Sequence, residues 1–114
     1  MNEPPPVPGT NNIPVPILSR GPLLRAIGDE TRWQILRELA AGEPLMVKEI
    51  AEAIGRSESG IAKHLAVLRK AGITQIGRGR LQQIRPHFMA DPAARVLDFG
   101  YLQLRLSVKE PGLE

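Results

Sequence analysis

Apolar residues recur every three or four positions through much of the chain, a spacing typical of helices that bury one face. A short first helix is predicted to end at Gly28. A second, GDETRWQILRELAAG, starts from Asp29 as its N-cap and stops at Gly42, and a third, LMVKEIAEAIGR, stops at Gly55. The inward-facing residues predicted for these three helices are Leu23, Leu24, Ile27, Trp33, Leu36, Leu39 or Ala40, Val47, Ile50, Ala51 and Ile54.

The next stretch, SESGIAKHLAVLRKAG, predicts a fourth helix with two different faces and with Ser57 as its N-cap. The inward stripe is Ile61, Leu65 and Leu68. The opposite face carries small and cationic residues, Ser59, Lys63, Ala66 and Lys70. Because only a short turn containing Gly55 separates it from the third helix, the pair has the pattern of a helix-turn-helix. An ordinary amphipathic surface helix would show the same periodicity.

Two short strands follow in ITQIGRGRLQQIR, on either side of the glycine-rich turn at 77–80. Arg78 and Arg80 lie in that turn. A hairpin needs the glycines of its turn but has no structural need of arginines there, so contact with phosphate or the minor groove is predicted. A helix-turn-helix followed directly by a hairpin makes a winged helix, and the predicted fold class is mainly α with a small β-wing (α+β).

The C-terminal segment shows two conflicting periodicities. A helical spacing relates Leu97, Tyr101, Leu104 and Val108, whereas the residues from Leu102 to Val108 alternate strictly between apolar and polar. Gly100 would weaken a helix by about 1 kcal/mol, so we favour a strand over 101–108, preceded by a shorter one near 95–98. Its leucines are expected to pack on the winged-helix body or on a partner subunit, at or near a dimer interface.

The N-terminus is rich in proline, which lacks an amide donor and has a fixed backbone angle. Residues 1–16 are therefore expected to form a flexible leader. Residues 17–90 are predicted to form the winged helix-turn-helix domain, and 91–114 a dimerisation segment. The sequence has no signal-peptide pattern and no apolar run of membrane-spanning length, so we expect a cytoplasmic protein with no membrane partner.

Charge is unevenly distributed along the chain. The formal net charge is +3, yet residues 56–85 carry seven cations against the single acid Glu58. Such a segment favours a polyanionic partner, and double-stranded DNA is predicted. The alternative is a winged helix that binds an acidic protein partner. The predicted DNA-binding residues are Arg56, Ser57, Glu58, Ser59, Lys63, His64, Lys70, Arg78 and Arg80.

The chain resembles the ArsR-type winged-helix transcriptional regulators of bacteria and archaea. The likeness runs from about Leu23 to Arg85 and rests on LLRAIGDETRWQILREL, on VKEIAEAIGRSESGIAKHLAVLRKAGI and on the GRGR wing. It implies a homodimeric repressor that binds an inverted-repeat operator through helix 57–71 and wing 77–80, and that leaves the operator when an effector arrives. The resemblance does not identify the effector. In that family the C-terminal segment is normally a dimerising helix.

The sequence also departs from the family. The metal-sensing branch carries Cys-Val-Cys at the third helix, where this chain has Met46, Val47 and Lys48, and it has no cysteine anywhere. His64 and His87 do not stand in the spacing of the family's second metal site, so no metal or other cofactor is predicted. Glu58 replaces a frequent glutamine; it would repel phosphate, but it could accept a hydrogen bond from a cytosine amine.

Catalytic patterns are not apparent in the sequence. There is no Ser-His-Asp arrangement, no pair of carboxylates in a catalytic setting and no glycine-rich phosphate loop after a strand. We therefore predict a protein that is not an enzyme.

Overall fold

The computed structural model describes residues 17–108. The helices of this part of the chain are α1 (Arg20–Ile27), α2 (Glu30–Leu39), α3 (Val47–Ile54) and α4 (Glu58–Lys70). The strands are β1 (Thr74–Ile76), β2 (Gln82–Ile84), β3 (Met89–Asp91), β4 (Val96–Asp98) and β5 (Gln103–Arg105). The leader predicted at 1–16 lies outside the described residues.

Both predicted N-caps are confirmed. Asp29 Oδ2 accepts a hydrogen bond from the backbone N–H of Arg32 at 3.0 Å, at the start of α2. Ser57 Oγ accepts one from the backbone N–H of Gly60 at 3.1 Å, at the start of α4. Each cap satisfies a donor that has no partner within its own helix.

The four helices bury one shared apolar core, which contains most of the predicted inward residues. Two predictions need correction. Leu24 is 47% exposed, because α1 turns Leu23, Ala26 and Ile27 inward and Leu24 lies outside that stripe. Ile35 was not predicted to be inward but is fully buried, because α2 is packed against α1, α3, α4 and β2 and so buries a wide face.

The wing is an antiparallel pair of strands, β1 and β2, in which Thr74 faces Ile84 and Ile76 faces Gln82. Leu45, in the loop before α3, joins the pair: its N–H donates to the Gln82 carbonyl and its carbonyl accepts from the Gln82 N–H. These strands follow α4 directly, so the predicted winged helix is confirmed.

The C-terminal segment forms a second antiparallel sheet, in the order β3-β4-β5. The prediction of strands over helix is confirmed, and β4 lies where the shorter strand was expected. The strand predicted over 101–108 is shorter than expected, because only Gln103–Arg105 pair with β4. Beyond them the chain turns, with the Val108 N–H donating to the Arg105 carbonyl at 3.4 Å.

This second sheet packs on the helical body of its own chain. Leu97, Phe99, Leu104 and Leu106 are each at most 6% exposed and belong to the same core as the helices. The rings of Phe88 and Phe99 lie with their centroids 4.9 Å apart. Leu97, Leu104 and Leu106, which were expected near a dimer interface, are therefore buried within one chain, and Leu102 is partly buried against the same core.

Candidate nucleic-acid interface

The turn between α3 and α4 is closed by backbone hydrogen bonds. The N–H groups of Gly55 and Arg56 both donate to the Ala51 carbonyl, at 2.8 and 3.0 Å. Gly55 has φ +81°, a left-handed conformation that residues with a Cβ adopt only at a cost. Only three residues separate α3 from α4, and two of them, Arg56 and Ser57, lie exposed directly before α4.

The first turn of α4 offers backbone donors to an anion. The Ser57 hydroxyl is engaged with Gly60 and lies 3.4 Å from the Ser59 hydroxyl. The N–H groups of Glu58 and Ser59 have no acceptor within the helix, because the residues four positions earlier are not part of α4. A phosphate could bind there, although the exposed carboxylate of Glu58 would oppose it.

The outer face of α4 is exposed, as the sequence predicted. Its apolar stripe, Ile61, Leu65 and Leu68, is at most 1% exposed. Ser59, Lys63, Ala66 and Lys70 lie on the opposite side and are all exposed. The cationic face of this helix is therefore directed to solvent, where a groove of DNA could receive it.

The wing tip presents the other two predicted cations. Arg78 and Arg80 are both exposed, in a three-residue turn closed by the Gly77 N–H donating to the Leu81 carbonyl at 2.8 Å. Gly79 has φ +69° and Arg80 has φ +61°. The left-handed backbone at Arg80 costs about 1 kcal/mol, since only glycine adopts it freely.

His64 lies on the flank of α4 that faces α2, and it differs from the other predicted site residues. It is only half-buried, and its Nδ1 is 3.1 Å from Arg32 Nη1. Because an arginine can only donate, Nδ1 is the acceptor in this contact when it carries no proton. The same Nδ1 lies 3.7 Å from Asp29 Oδ2.

Arg32 connects three helices, a role that the sequence analysis did not foresee. Its Nε donates to the Ala26 carbonyl at 2.7 Å and its Nη2 to the Arg25 carbonyl at 3.3 Å, at the C-terminal end of α1. Its third contact is His64 on α4. Arg32 thereby satisfies carbonyls that α1 leaves without helical partners and fixes α4 relative to them. The only sequence signal for this role is a cation in the first turn of α2, directly after the short connection from α1.

The surroundings of Asp29 lower its pKa below the usual range. The main cause is the hydrogen bond that it accepts from the backbone N–H of Arg32, and the nearby charges of Arg32 and His64 act in the same direction. Partial burial opposes them. The carboxylate is therefore ionised at neutral pH and remains a strong cap for α2.

Arg69 also belongs to this surface, although it was not among the predicted site residues. It is exposed on the flank of α4 that faces the wing, in a cleft that it shares with Glu58 and Arg80. A helical projection would have found it, because positions 58, 62 and 69 fall on one side of α4.

Within residues 17–108 no group of three histidine, cysteine or acidic side chains is arranged to hold a metal ion. The described helices are also all too short, or too polar, to cross a bilayer.

The sequence model of a family described as a helix-turn-helix domain matches residues 27–74. The match runs from the last residue of α1 to the first residue of β1 and so contains α2, α3 and α4. Together with the hairpin that follows, it defines a winged helix-turn-helix protein. A domain of this class indicates a DNA-binding regulator and is typically non-enzymatic.

Proposed function

We propose that the chain is a transcriptional regulator that inserts α4 into the major groove of double-stranded DNA and rests its wing on the adjoining backbone. The observation that carries this proposal is the exposed charge of these two elements. Arg56, Lys63, Lys70, Arg78 and Arg80 are all exposed, and Glu58 is the one acid between positions 56 and 85. Cations on both a recognition helix and a wing match the repeated phosphates of a duplex.

Each predicted residue has a role in this proposal that follows from its position. Lys63, in the middle of the outer face of α4, would reach base edges, and Arg56 at the helix entry would bind phosphate. Glu58 would accept from a cytosine amine. Ser57 would act through its cap on α4, and Ser59 and Lys70 would flank Lys63 along the groove.

His64 supports the interface from behind in this proposal. Its Nδ1 is directed toward Arg32, so Nε2 is the ring nitrogen left for a phosphate. We expect its main contribution to be the orientation of α4.

The finer assignment follows the resemblance to ArsR-type regulators. We propose a cytoplasmic homodimer that binds an inverted repeat, represses transcription, and is released by an effector. The helix-turn-helix domain that the chain matches is found in regulators of that type. Two-fold symmetry would place two copies of α4 one helical turn apart on the duplex.

The test is a fluorescence anisotropy titration of a labelled duplex from the promoter upstream of the protein's own gene. The titration is repeated at several salt concentrations with a scrambled duplex as the control. The proposal predicts tighter binding to the promoter and a linear fall of log K with log salt, by about 0.9 for each phosphate contact. Weak, sequence-independent binding to both duplexes, or none, would favour an acidic protein as the partner.

A further inference from the structure

A cleft lies between the N-terminal end of α3, the wing-facing flank of α4 and the wing itself. Its volume is about 440 Å³, which is within the range of small-molecule sites. Val47, Leu65 and Ile76 supply apolar lining, and Lys48, Arg69 and Arg80 supply positive charge. Glu58 is the one acid in this lining, so cations outnumber it three to one. The composition fits a small anion with an apolar body.

Gln82 gives the cleft a buried hydrogen-bond acceptor that lacks a donor. The residue is only 4% exposed, and it lines the cleft beside its strand partner Ile76. Its Nε2 donates to the Arg80 carbonyl at 3.4 Å, whereas its Oε1 has no hydrogen-bond partner. A flipped amide would place two oxygens against each other, so the free atom is the acceptor. A buried acceptor without a donor costs about 1–3 kcal/mol, and a ligand that supplies the donor would recover that cost.

We propose that this cleft binds a small organic anion that carries a hydroxyl or amine donor, and that its occupation weakens DNA binding. The anionic group pairs with the cations Lys48, Arg69 and Arg80. The donor reaches Gln82 Oε1 once the side chain of Gln82 rotates to expose this covered atom, and the apolar body lies against Val47, Leu65 and Ile76.

The effect on DNA binding rests on the proposed function. In that proposal Arg80 contacts the DNA backbone, and α4 and the wing must hold a fixed separation to reach it. A ligand between them would engage Arg80 and neutralise part of the charge that attracts the duplex. Ligand and DNA would then exclude each other, and each would lower the affinity for the other by the same factor.

The first experiment tests the site without DNA. The probe is 4-hydroxyphenylacetate, which has a carboxylate, an aromatic ring and a hydroxyl, and phenylacetate is the matched compound without the donor. Each is titrated into the ¹⁵N-labelled full chain and followed by two-dimensional NMR. We expect saturable shifts, with a Kd on the order of millimolar. They should centre on the Gln82 side-chain amide and on the backbone of Arg69 and Ile76.

Three variants make this test specific. Wild type should bind the hydroxylated probe about fivefold more tightly than phenylacetate. Gln82→Leu should bind both compounds equally, and Arg69→Ala should bind both more weakly. Arg105→Ala removes an exposed cation from β5 and should change nothing. No saturable shift, shifts centred elsewhere, or an unchanged preference in Gln82→Leu would overturn the site.

Gln82→Leu is not expected to unfold the protein, since it removes an unsatisfied buried acceptor and keeps a similar side-chain volume. The dispersion of its NMR spectrum checks this directly.

The second experiment measures duplex affinity at constant ionic strength, with sodium acetate as the control anion. At ten times its Kd, 4-hydroxyphenylacetate should raise the apparent Kd for DNA about tenfold. Unchanged DNA affinity with the cleft saturated would overturn the coupling. If the protein bound no DNA at all, the proposed function would fail, while the NMR titration would still decide whether the cleft binds the anion.

Discussion

The cations of α4 and its apolar stripe lie on opposite sides of the helix, so the residues proposed to bind DNA differ from the residues that stabilise the fold. Lys63 and Arg56 are exposed and lie outside the buried stripe of Ile61, Leu65 and Leu68. Their removal should therefore leave the fold intact. The exposed position of such side chains is what allows binding and stability to be tested separately.

We predict that the double variant Lys63→Ala, Arg56→Ala weakens promoter binding by at least about tenfold and leaves the thermal unfolding midpoint unchanged. Lys63→Ala should also reduce the preference for the promoter over the scrambled duplex, whereas Arg56→Ala should weaken binding to both alike. Anisotropy and circular dichroism give the two readouts. Wild-type affinity in the double variant would exclude this face of α4 from the interface.

Asp29 provides a residue-level test of stability against pH. Folding lowers its pKa, so its carboxylate contributes stability at pH values above the unfolded pKa of about 3.9. That contribution disappears as the pH falls through the lower folded pKa. We predict that Asp29→Asn, which can still cap α2, is less stable than wild type at pH 7 and that the difference shrinks below about pH 4.

Urea unfolding at pH 7 and pH 3 measures this difference. Asp29→Ala serves as the comparison, because it also removes the cap, at a cost of about 0.5–2 kcal/mol that persists at low pH. A pH-independent gap between wild type and Asp29→Asn would show that the charge of Asp29 is not what stabilises α2.

At the scale of elements, the wing is a short hairpin whose tip carries two exposed arginines. The glycine at position 79 permits the left-handed backbone, while Arg80 adopts it at a cost. A glycine at position 80 would adopt this backbone without strain, so one substitution can remove both the strain and the charge of Arg80.

We predict that Arg78→Ala combined with Arg80→Gly lowers affinity for all duplexes alike. The salt dependence of log K should become shallower by about 0.9 for each phosphate that the variant no longer neutralises. The Arg80→Gly change should not destabilise the fold, since it relieves the left-handed strain. Arg105→Ala is the matched control outside the wing, and an unchanged salt slope in the double variant would mean that the wing does not touch the backbone.

The second sheet is an element that completes the core. Phe99 is 1% exposed and packs on Phe88, which is itself fully buried. We predict that Phe99→Ala lowers the free energy of unfolding by about 3–5 kcal/mol. Tyr101→Phe, which removes only an exposed hydrogen bond to the Leu18 carbonyl, should cost about 1 kcal/mol or less. Chemical denaturation measures both variants. If Phe99→Ala and Tyr101→Phe lowered the free energy of unfolding equally, the assignment of the sheet to the core would be contradicted.

At the scale of the whole molecule, dimerisation remains a prediction, and its expected location changes. Leu97, Leu104 and Leu106 of the C-terminal segment are buried within the chain. In contrast, Leu24 on α1 is 47% exposed and Ile17 before it is 69% exposed. We therefore predict that a dimer uses the surface around α1.

Analytical ultracentrifugation of the full chain tests this location. Leu24→Glu should shift a wild-type dimer to monomer without a decrease in helical content. Val108→Glu alters another exposed apolar residue, in the C-terminal segment, and should leave the dimer intact. A monomer in Val108→Glu together with a dimer in Leu24→Glu would return the interface to the C-terminal segment.

The sequence by itself determined the local elements of this protein. The stripe of Ile61, Leu65 and Leu68, the caps Asp29 and Ser57 and the GRGR turn depend on neighbours within a few residues, so periodicity and capping rules were sufficient to predict them. The outer face of α4 followed from the same reasoning, because the opposite side of a buried stripe must face solvent.

Tertiary structure decided the contacts between distant residues. No local rule pairs Arg32 with His64 or with the carbonyls at the end of α1, and no local rule closes a cleft around Gln82. The destination of the C-terminal leucines was also undecided, because an apolar strand face can cover its own core or a partner with the same residues. The second sheet covered the core that the four helices left open beside Phe88, and burial of that surface within one chain avoids the entropy cost of binding a partner.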